Sequence, residues 1–173
     1  MPLLEVKALD QLPDLTGTLH AITPGEGKVA TVVVFVSPYC PTANTLMPEI
    51  VGIMAEHADK VDGYVIHSDK DAKDSDVQQH MELYKITTPV LLDKEQKVAK
   101  ELKAKITPEA VVLGKDGAVL YQGKINDLYL KPTRKQREAT THDLRDALEA
   151  VIAGEAVKNS HTEPVGCKIS GME

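Results

Sequence analysis

One run, Val29-Ala30-Thr31-Val32-Val33-Val34-Phe35-Val36, is apolar or β-branched at every position. A strand that faces water on one side alternates apolar and polar residues, whereas a strand covered on both faces does not. The run therefore predicts a central strand in a sheet with layers above and below it. Ser37-Pro38-Tyr39-Cys40-Pro41 ends the run, and a helical pattern follows to about Ala58, with Leu46, Ile50, Ile53 and Met54 on one side. Pro41 suits a first helical turn, where its missing N–H costs nothing. Pro48, inside the pattern, removes a backbone donor and predicts a kink.

The rest of the chain repeats the alternation of strand and helix. Val61 to His67 reads as a second strand, and Asp74-Ser75 offers an N-cap for a helix carrying Val77, Met81 and Tyr84. Pro89 to Asp93 is a short extended piece, and Gln96 to Ala104 a small helix. Glu109 to Leu113 and Ala118 to Gly123 flank Gly114-Lys115-Asp116-Gly117 as a hairpin. Lys131 to Thr140 reads as a polar loop. Thr140 and Asp143 have capping-box spacing before a last helix with Leu144, Ala147, Leu148, Val151 and Ile152 inside, and Gly154 stops it. Before the central strand, Pro13, Gly17, Pro24, Gly25 and Gly27 punctuate short apolar pieces, which suits a hairpin or irregular arm. The order predicts an α/β fold of three layers, with a mixed central sheet and helices on both faces. Residues 1–154 form one domain including the N-terminal arm, and residues 155–173 a tail carrying Cys167.

Composition narrows the function classes. At 173 residues the chain can bury one proper core, yet it has no Trp and a single Phe, so aliphatic side chains must fill it. Lys plus Arg number 20 against 26 Asp plus Glu, for a net charge of −6. An acidic chain without a basic run or aromatic platforms is a poor nucleic-acid binder. No apolar run has the length of a membrane span. The first residues lack the regions of a signal peptide, a segment that a mature form would have lost.

Cys40 lies where a buried strand hands over to a helix. Free N–H groups and the helix dipole at such a place favour an anion, so a thiol there becomes thiolate more readily. The thiolate is the nucleophile toward disulfides and peroxides. The competing reading is a buried structural cysteine.

Four segments carry a resemblance to the thioredoxin superfamily: Val33 to Thr42 around Cys40, Thr88 to Asp93, Ile106-Thr107-Pro108-Glu109, and the hairpin Asp116 to Gly123. More narrowly the chain is similar to the redoxin branch, with its alkyl hydroperoxide reductase and thiol-specific antioxidant proteins. The end of the chain, with "PVGCKI", resembles bacterial redoxin-domain proteins that finish in a Gly-Cys-x-Ile segment. The resemblance implies a thioredoxin-like fold and antioxidant or oxidoreductase activity without a cofactor or bound metal. It makes Cys40 the nucleophile and places Ser37, Pro41, Thr107 and Pro108 around the substrate. Thr107-Pro108 would be the superfamily's cis-proline site, whose backbone pairs with an incoming peptide, and Thr88-Pro89 an ordinary strand start. Related domains are often extracytoplasmic, which points to a bacterial periplasmic setting and leaves the cytoplasm open.

Three departures limit the parallel. The C-x-x-C motif reads Cys40-Pro41-Thr42-Ala43, so dithiol exchange within it is impossible. The peroxiredoxin pattern P-x-x-x-[ST]-x-x-C keeps Ser37 and Cys40 but has Val33 for its proline. The only arginines, Arg134, Arg137 and Arg145, come late in the chain, away from where a peroxide-holding arginine would be expected.

Cys167 is the remaining candidate partner. The stretch from Gly154 to Cys167, if extended, reaches roughly 43 Å, against a domain diameter of about 40 Å. The tail can bring Cys167 to Cys40 within one chain or across a dimer. Cys167 is then a distant resolving thiol, half of a static disulfide, or a thiol that never meets Cys40. Metal binding is disfavoured, because His20, His57, His67, His80, His142 and His161 show no tight ligand spacing and no close cysteine pair exists. Residues 69–76 alternate in sign and read as a solvated loop. The leading expectation is a thiol-disulfide oxidoreductase acting on a protein or small-molecule disulfide and recharged by an external reductant. A thiol peroxidase, one-thiol exchange through glutathione, and a non-catalytic binding module that uses the cis-proline groove are the alternatives.

Overall fold

The computed structural model describes residues 11–172. Its spine is a five-stranded mixed sheet in the order β5-β4-β3-β7-β8. The central strand β3 (Ala30–Val36) is buried at all seven positions, as the unbroken apolar run predicts. It runs parallel to β4 (Val61–His67), which is parallel to β5 (Val90–Leu92). On its other side it runs antiparallel to β7 (Glu109–Gly114), which turns back into β8 (Val119–Gly123).

The pleat of β3 divides its side chains between two cores. Val32, Val34 and Val36 join one cluster with Leu46, Met47, Ile50 and Ile53 of α1 (Pro41–Glu56), Val77 of α2 (Asp74–Leu83) and Leu144, Ala147 and Leu148 of α4 (Asp143–Ile152). Val33 and Phe35 join the other, with Val98 and Ala99 of α3 (Lys97–Glu101), Leu12, Ile22 and Ile169. Helices therefore cover both faces of a mixed sheet, the three-layer α/β arrangement expected from the element order.

Smaller elements dress this frame. β1 (Leu12–Pro13) and β2 (Leu19–His20) form the N-terminal hairpin. β6 (Ile106–Thr107) leads into a cis Thr107–Pro108 peptide, the single cis bond among the described residues. The α1 helix is continuous through Pro48, where the sequence suggested a kink.

Three local expectations are corrected. The stretch read as a polar loop contains a hairpin of β9 (Tyr129–Lys131) and β10 (Arg134–Lys135). Thr140 does not cap α4; its N–H and hydroxyl bind Asp127, as does the N–H of Thr141, and His142 occupies the cap position. Helix α2 starts after Lys73 with no side-chain cap, so Asp74 lies inside its first turn. The end of the chain also forms a strand, β11 (Cys167–Lys168), antiparallel to β6.

Candidate functional site

Cys40 is the N-cap of α1, with extended backbone, and its side chain is 1% exposed. The Ala43 N–H points at its sulfur, at 3.4 Å. One of the helix's orphan donors is thus aimed at Sγ, an arrangement that stabilises negative charge there. The Thr107 carbonyl oxygen lies 3.3 Å from the same sulfur, and a reduced Cys40 would donate its S–H to it. The cis-proline loop and the helix start meet at Cys40, as the resemblance implied.

Cys40 is bonded to Cys167, across 127 positions of sequence and with Cα atoms 5.9 Å apart. The possibility that the two thiols never meet is thereby overturned. The half-buried Cys167 arrives on β11, paired opposite Thr107, while Lys168 pairs opposite Ile106. Backbone groups beside the cis-proline are thus occupied by the chain's own end.

The other expected site residues lie around the pair. Ser37 is buried, and its Oγ accepts from the Tyr39 N–H at 3.1 Å, which shapes the turn ahead of Cys40. Pro41 is exposed at the first helical position, and Pro108 is buried behind Thr107. Ser37, Cys40 and Cys167 share a cleft of about 220 Å³ with Tyr39, Asp69, Asp71, Lys168 and Ser170. No arginine lines it. A larger cavity, about 950 Å³, lies beside the chain end near Lys105, Glu109, Pro164 and Met172, and neither sulfur borders it.

Several supports were not singled out from the sequence. Asn44 donates from Nδ2 to the Pro38 carbonyl at 3.2 Å, and its Oδ1 accepts from His80 Nε2 at 2.8 Å. This chain of bonds ties α2 to the turn that presents Cys40. Burial holds the His80 imidazole down at about 4, so it stays neutral, with the proton on the nitrogen facing Asn44. His67 lies against His80 with ring centroids 5.4 Å apart; burial, then His80, lowers its pKa to about 3. Glu109 accepts from the Lys105 and Ile106 N–H groups and from Gln122 Nε2, bracing the strand before the cis bond. Asp69 is buried rather than solvated, and its Oδ1 accepts the Ser170 N–H at 2.9 Å. Asp71 accepts from the Ser170 hydroxyl. The acidic loop could be heard in the sequence, but its partner lies 99 positions away and left no local signal.

One group of possible metal ligands exists among the described residues, Glu56, His57 and Glu149. It sits at the far end of α1 from Cys40, two of its members are exposed, and His57 Nδ1 already bonds the Ile53 carbonyl. No described helix is long and apolar enough to cross a membrane.

The Redoxin family profile matches residues 5–135. It therefore contains Cys40 and Thr107-Pro108, and it ends before Cys167. No curated protein matches the chain. Among solved structures, an uncharacterized conserved protein from Geobacillus kaustophilus is similar with a TM-score of 0.82 at 22% identity, over 95% of this chain and 90% of that one. A hypothetical protein from Sinorhizobium meliloti 1021 is similar with a TM-score of 0.81 at 24% identity, over 98% and 95%. A secreted Mycobacterium tuberculosis disulfide oxidoreductase, homologous to E. coli DsbE, has a TM-score of 0.60 at 19% identity, over 84% and 96%.

Proposed function

The chain belongs to the redoxin family, and we propose that on this thioredoxin-like fold it is a thiol-disulfide oxidoreductase with Cys40 as nucleophile and Cys167 as resolving cysteine. The observation that carries this reading is the Cys40–Cys167 bond at the start of α1, beside the cis-proline. In the reduced protein the Cys40 thiolate attacks one sulfur of a substrate disulfide. That S–S bond breaks, one substrate thiolate leaves, and a Cys40–substrate disulfide forms. The Cys167 thiolate then attacks Cys40 Sγ, releasing the second substrate thiolate and forming the Cys40–Cys167 bond. The substrate gains two electrons and the protein loses two; an external dithiol restores the pair. Ala43 in the usual second-cysteine position makes the distant thiol necessary to this scheme.

Ser37 and Pro41 shape the turn that presents Cys40, and Thr107 and Pro108 offer the backbone edge to substrate. A cleft with two carboxylates and no arginine favours disulfide exchange over peroxide reduction, for which the peroxiredoxin pattern uses an arginine to help hold the peroxide. The setting that fits a persistent disulfide is extracytoplasmic, and the Mycobacterium tuberculosis neighbour is secreted.

Turnover of a disulfide-linked fluorescent substrate tests the scheme with wild type, Cys40→Ser and Cys167→Ser. Loss of all exchange in Cys40→Ser, and a trapped Cys40–substrate adduct in Cys167→Ser seen by mass spectrometry, are the expected results. A wild-type protein inert toward disulfides, with a Cys40 pKa at or above the unperturbed value of about 8.5, would sink the reading.

A further inference from the structure

Several backbone and side-chain groups between Gly166 and Met172 have partners of the kind a bound peptide would use. Cys167 and Lys168 pair with Thr107 and Ile106 as an antiparallel strand, and the Ile169 N–H continues the ladder to the Lys105 carbonyl at 2.9 Å. Ile169 is 1% exposed, inside the cluster that contains Val98, Ala99, Leu102 and Ala104. Ser170 is held at three points: its N–H by Asp69, its hydroxyl by Asp71 and its carbonyl by Gln96 Nε2. The Gly166 position admits no side chain, since a Cβ there would lie 1.9 Å from the Thr107 carbonyl oxygen. A Met172 N–H bond to the Ile169 carbonyl turns the segment away at its end.

This segment occupies the edge beside the cis-proline, and it leaves Cys40 with 1% exposure. An outside molecule reaches Cys40 only where the segment gives way. We propose that residues 166–172 are an internal ligand of the substrate groove, and that the groove selects an extended polypeptide of the same pattern. That pattern is glycine, a disulfide-bonded cysteine, any residue, a β-branched or branched aliphatic residue, then serine or threonine. The inference rests on the redox reading above and adds the substrate class and the residues that set it.

Each position has a physical selector. The Thr107 carbonyl excludes a side chain before the cysteine. The dry pocket of α3 and Ala104 takes the aliphatic group two residues after it. Asp69 and Asp71 accept N–H and O–H donors three residues after it, and no ion pair among the described residues engages either carboxylate. An acidic residue at that place would meet like charge. Reduction of the Cys40–Cys167 bond leaves the segment held by hydrogen bonds and by the packing of Cys167, Ile169 and Met172, so a substrate competes for the groove by mass action.

The test uses full-length Cys167→Ser, in which Cys40 is free and the segment is held without a covalent bond. Synthetic nonapeptides with the sequence of residues 164–172, their cysteine activated as a mixed disulfide with thionitrobenzoate, report attack by Cys40 as released chromophore. The matched peptide should react faster than versions carrying Gly166→Ala, Ile169→Asp or Ser170→Glu by about tenfold or more, the discrimination expected from losing one buried aliphatic contact. Adding Ile169→Ala to the protein should raise the rate for every peptide while preserving their order. Equal rates for all peptides, with Cys40 reactive, would overturn the groove and leave the oxidoreductase reading intact. If no activated disulfide reacts, the oxidoreductase reading fails, and calorimetric titration of the Cys167→Ser/Ile169→Ala protein with the matched peptide bearing serine for its cysteine decides the groove alone. Saturable binding there supports it; no binding, or binding equal to that of the Ile169→Asp peptide, refutes it.

Discussion

Among the described residues His67 buries both ring nitrogens without a hydrogen-bond partner, and His80 leaves its Nδ1 in the same condition. Burial disfavours the charged imidazole of each, and His67 also faces His80, so their values fall to about 3 for His67 and about 4 for His80 from 6.5. Both groups are therefore protonated in the unfolded chain before they are in the folded one. Between about pH 6.5 and those folded values the unfolded state binds more protons, so stability falls as pH falls. It is fully present above the unfolded value. Urea unfolding should give a free energy flat above about pH 7 and declining toward pH 4, with a slope approaching about 1.4 kcal/mol per pH unit for each group. His67→Leu should flatten the part of the slope owed to His67 and change stability at pH 7 by no more than about 1 kcal/mol, because it removes two unpaired buried nitrogens. An unchanged slope in that variant would show that other groups carry the acid sensitivity. Gly166 gives a second expectation at this scale. Gly166→Ala should displace β11 from Thr107 at a cost of about 1–3 kcal/mol in the oxidised protein, read as a lower thermal midpoint and faster amide exchange at Ile169.

At the scale of elements, Asp127 shows how a helix can be started from a distance. It accepts bonds from the N–H groups of Thr140 and Thr141 and from the Thr140 hydroxyl, and so fixes the chain just ahead of α4. Partial burial would raise its pKa, but these bonds outweigh it and hold the carboxyl at about 2. Asp127→Ala should cost about 1–2 kcal/mol, and chemical shifts should show the loss at residues 140–144. The same example marks where sequence stops being readable. Thr140 and Asp143 have capping-box spacing, yet a carboxylate thirteen positions upstream takes the donors of Thr140 first. Helix α1 and strands β3 and β4 were legible because their periodicity and punctuation are local and agree with burial on the sheet. The cis Thr107–Pro108 was legible through a motif. The β9–β10 hairpin carries no apolar alternation and was invisible for that reason. Strand β11 was hidden differently: two residues between Gly166 and Ile169 become a strand only because β6 is there to pair with them. Cys40 could be singled out from its strand-to-helix setting, while Asp69, Asp71 and Gln96 needed the folded chain end to acquire a role.

For the whole molecule, the chain end joins parts that the central sheet keeps separate. Cys167 packs against the cluster under α1 and α4, while Ile169, two residues on, sits inside the cluster under α3. The bond to Cys40 closes a loop of 127 positions. Cross-linking a loop of that size restricts the unfolded ensemble far more than it rearranges the folded one, and in the chain-entropy view contributes about 5 kcal/mol. Two consequences separate that effect from simple loss of contacts. Reduction, or Cys40→Ser, should lower the urea midpoint, and it should also raise the m-value, because an unfolded chain freed from its cross-link exposes more surface. Ile169→Ala in the oxidised protein removes contacts but leaves the cross-link, so it should lower the midpoint by a cost of about 2–4 kcal/mol with the m-value unchanged. If reduction shifted neither quantity, the bond would add nothing to stability and the hydrogen bonds of Ser170 and the burial of Ile169 would hold the chain end by themselves. A reversible redox centre is compatible with either size of effect. What it requires is that the reduced protein remain folded, with α1 still presenting Cys40 and β6 still offering its edge, so far-ultraviolet circular dichroism of the reduced wild type should match that of the oxidised form at neutral pH.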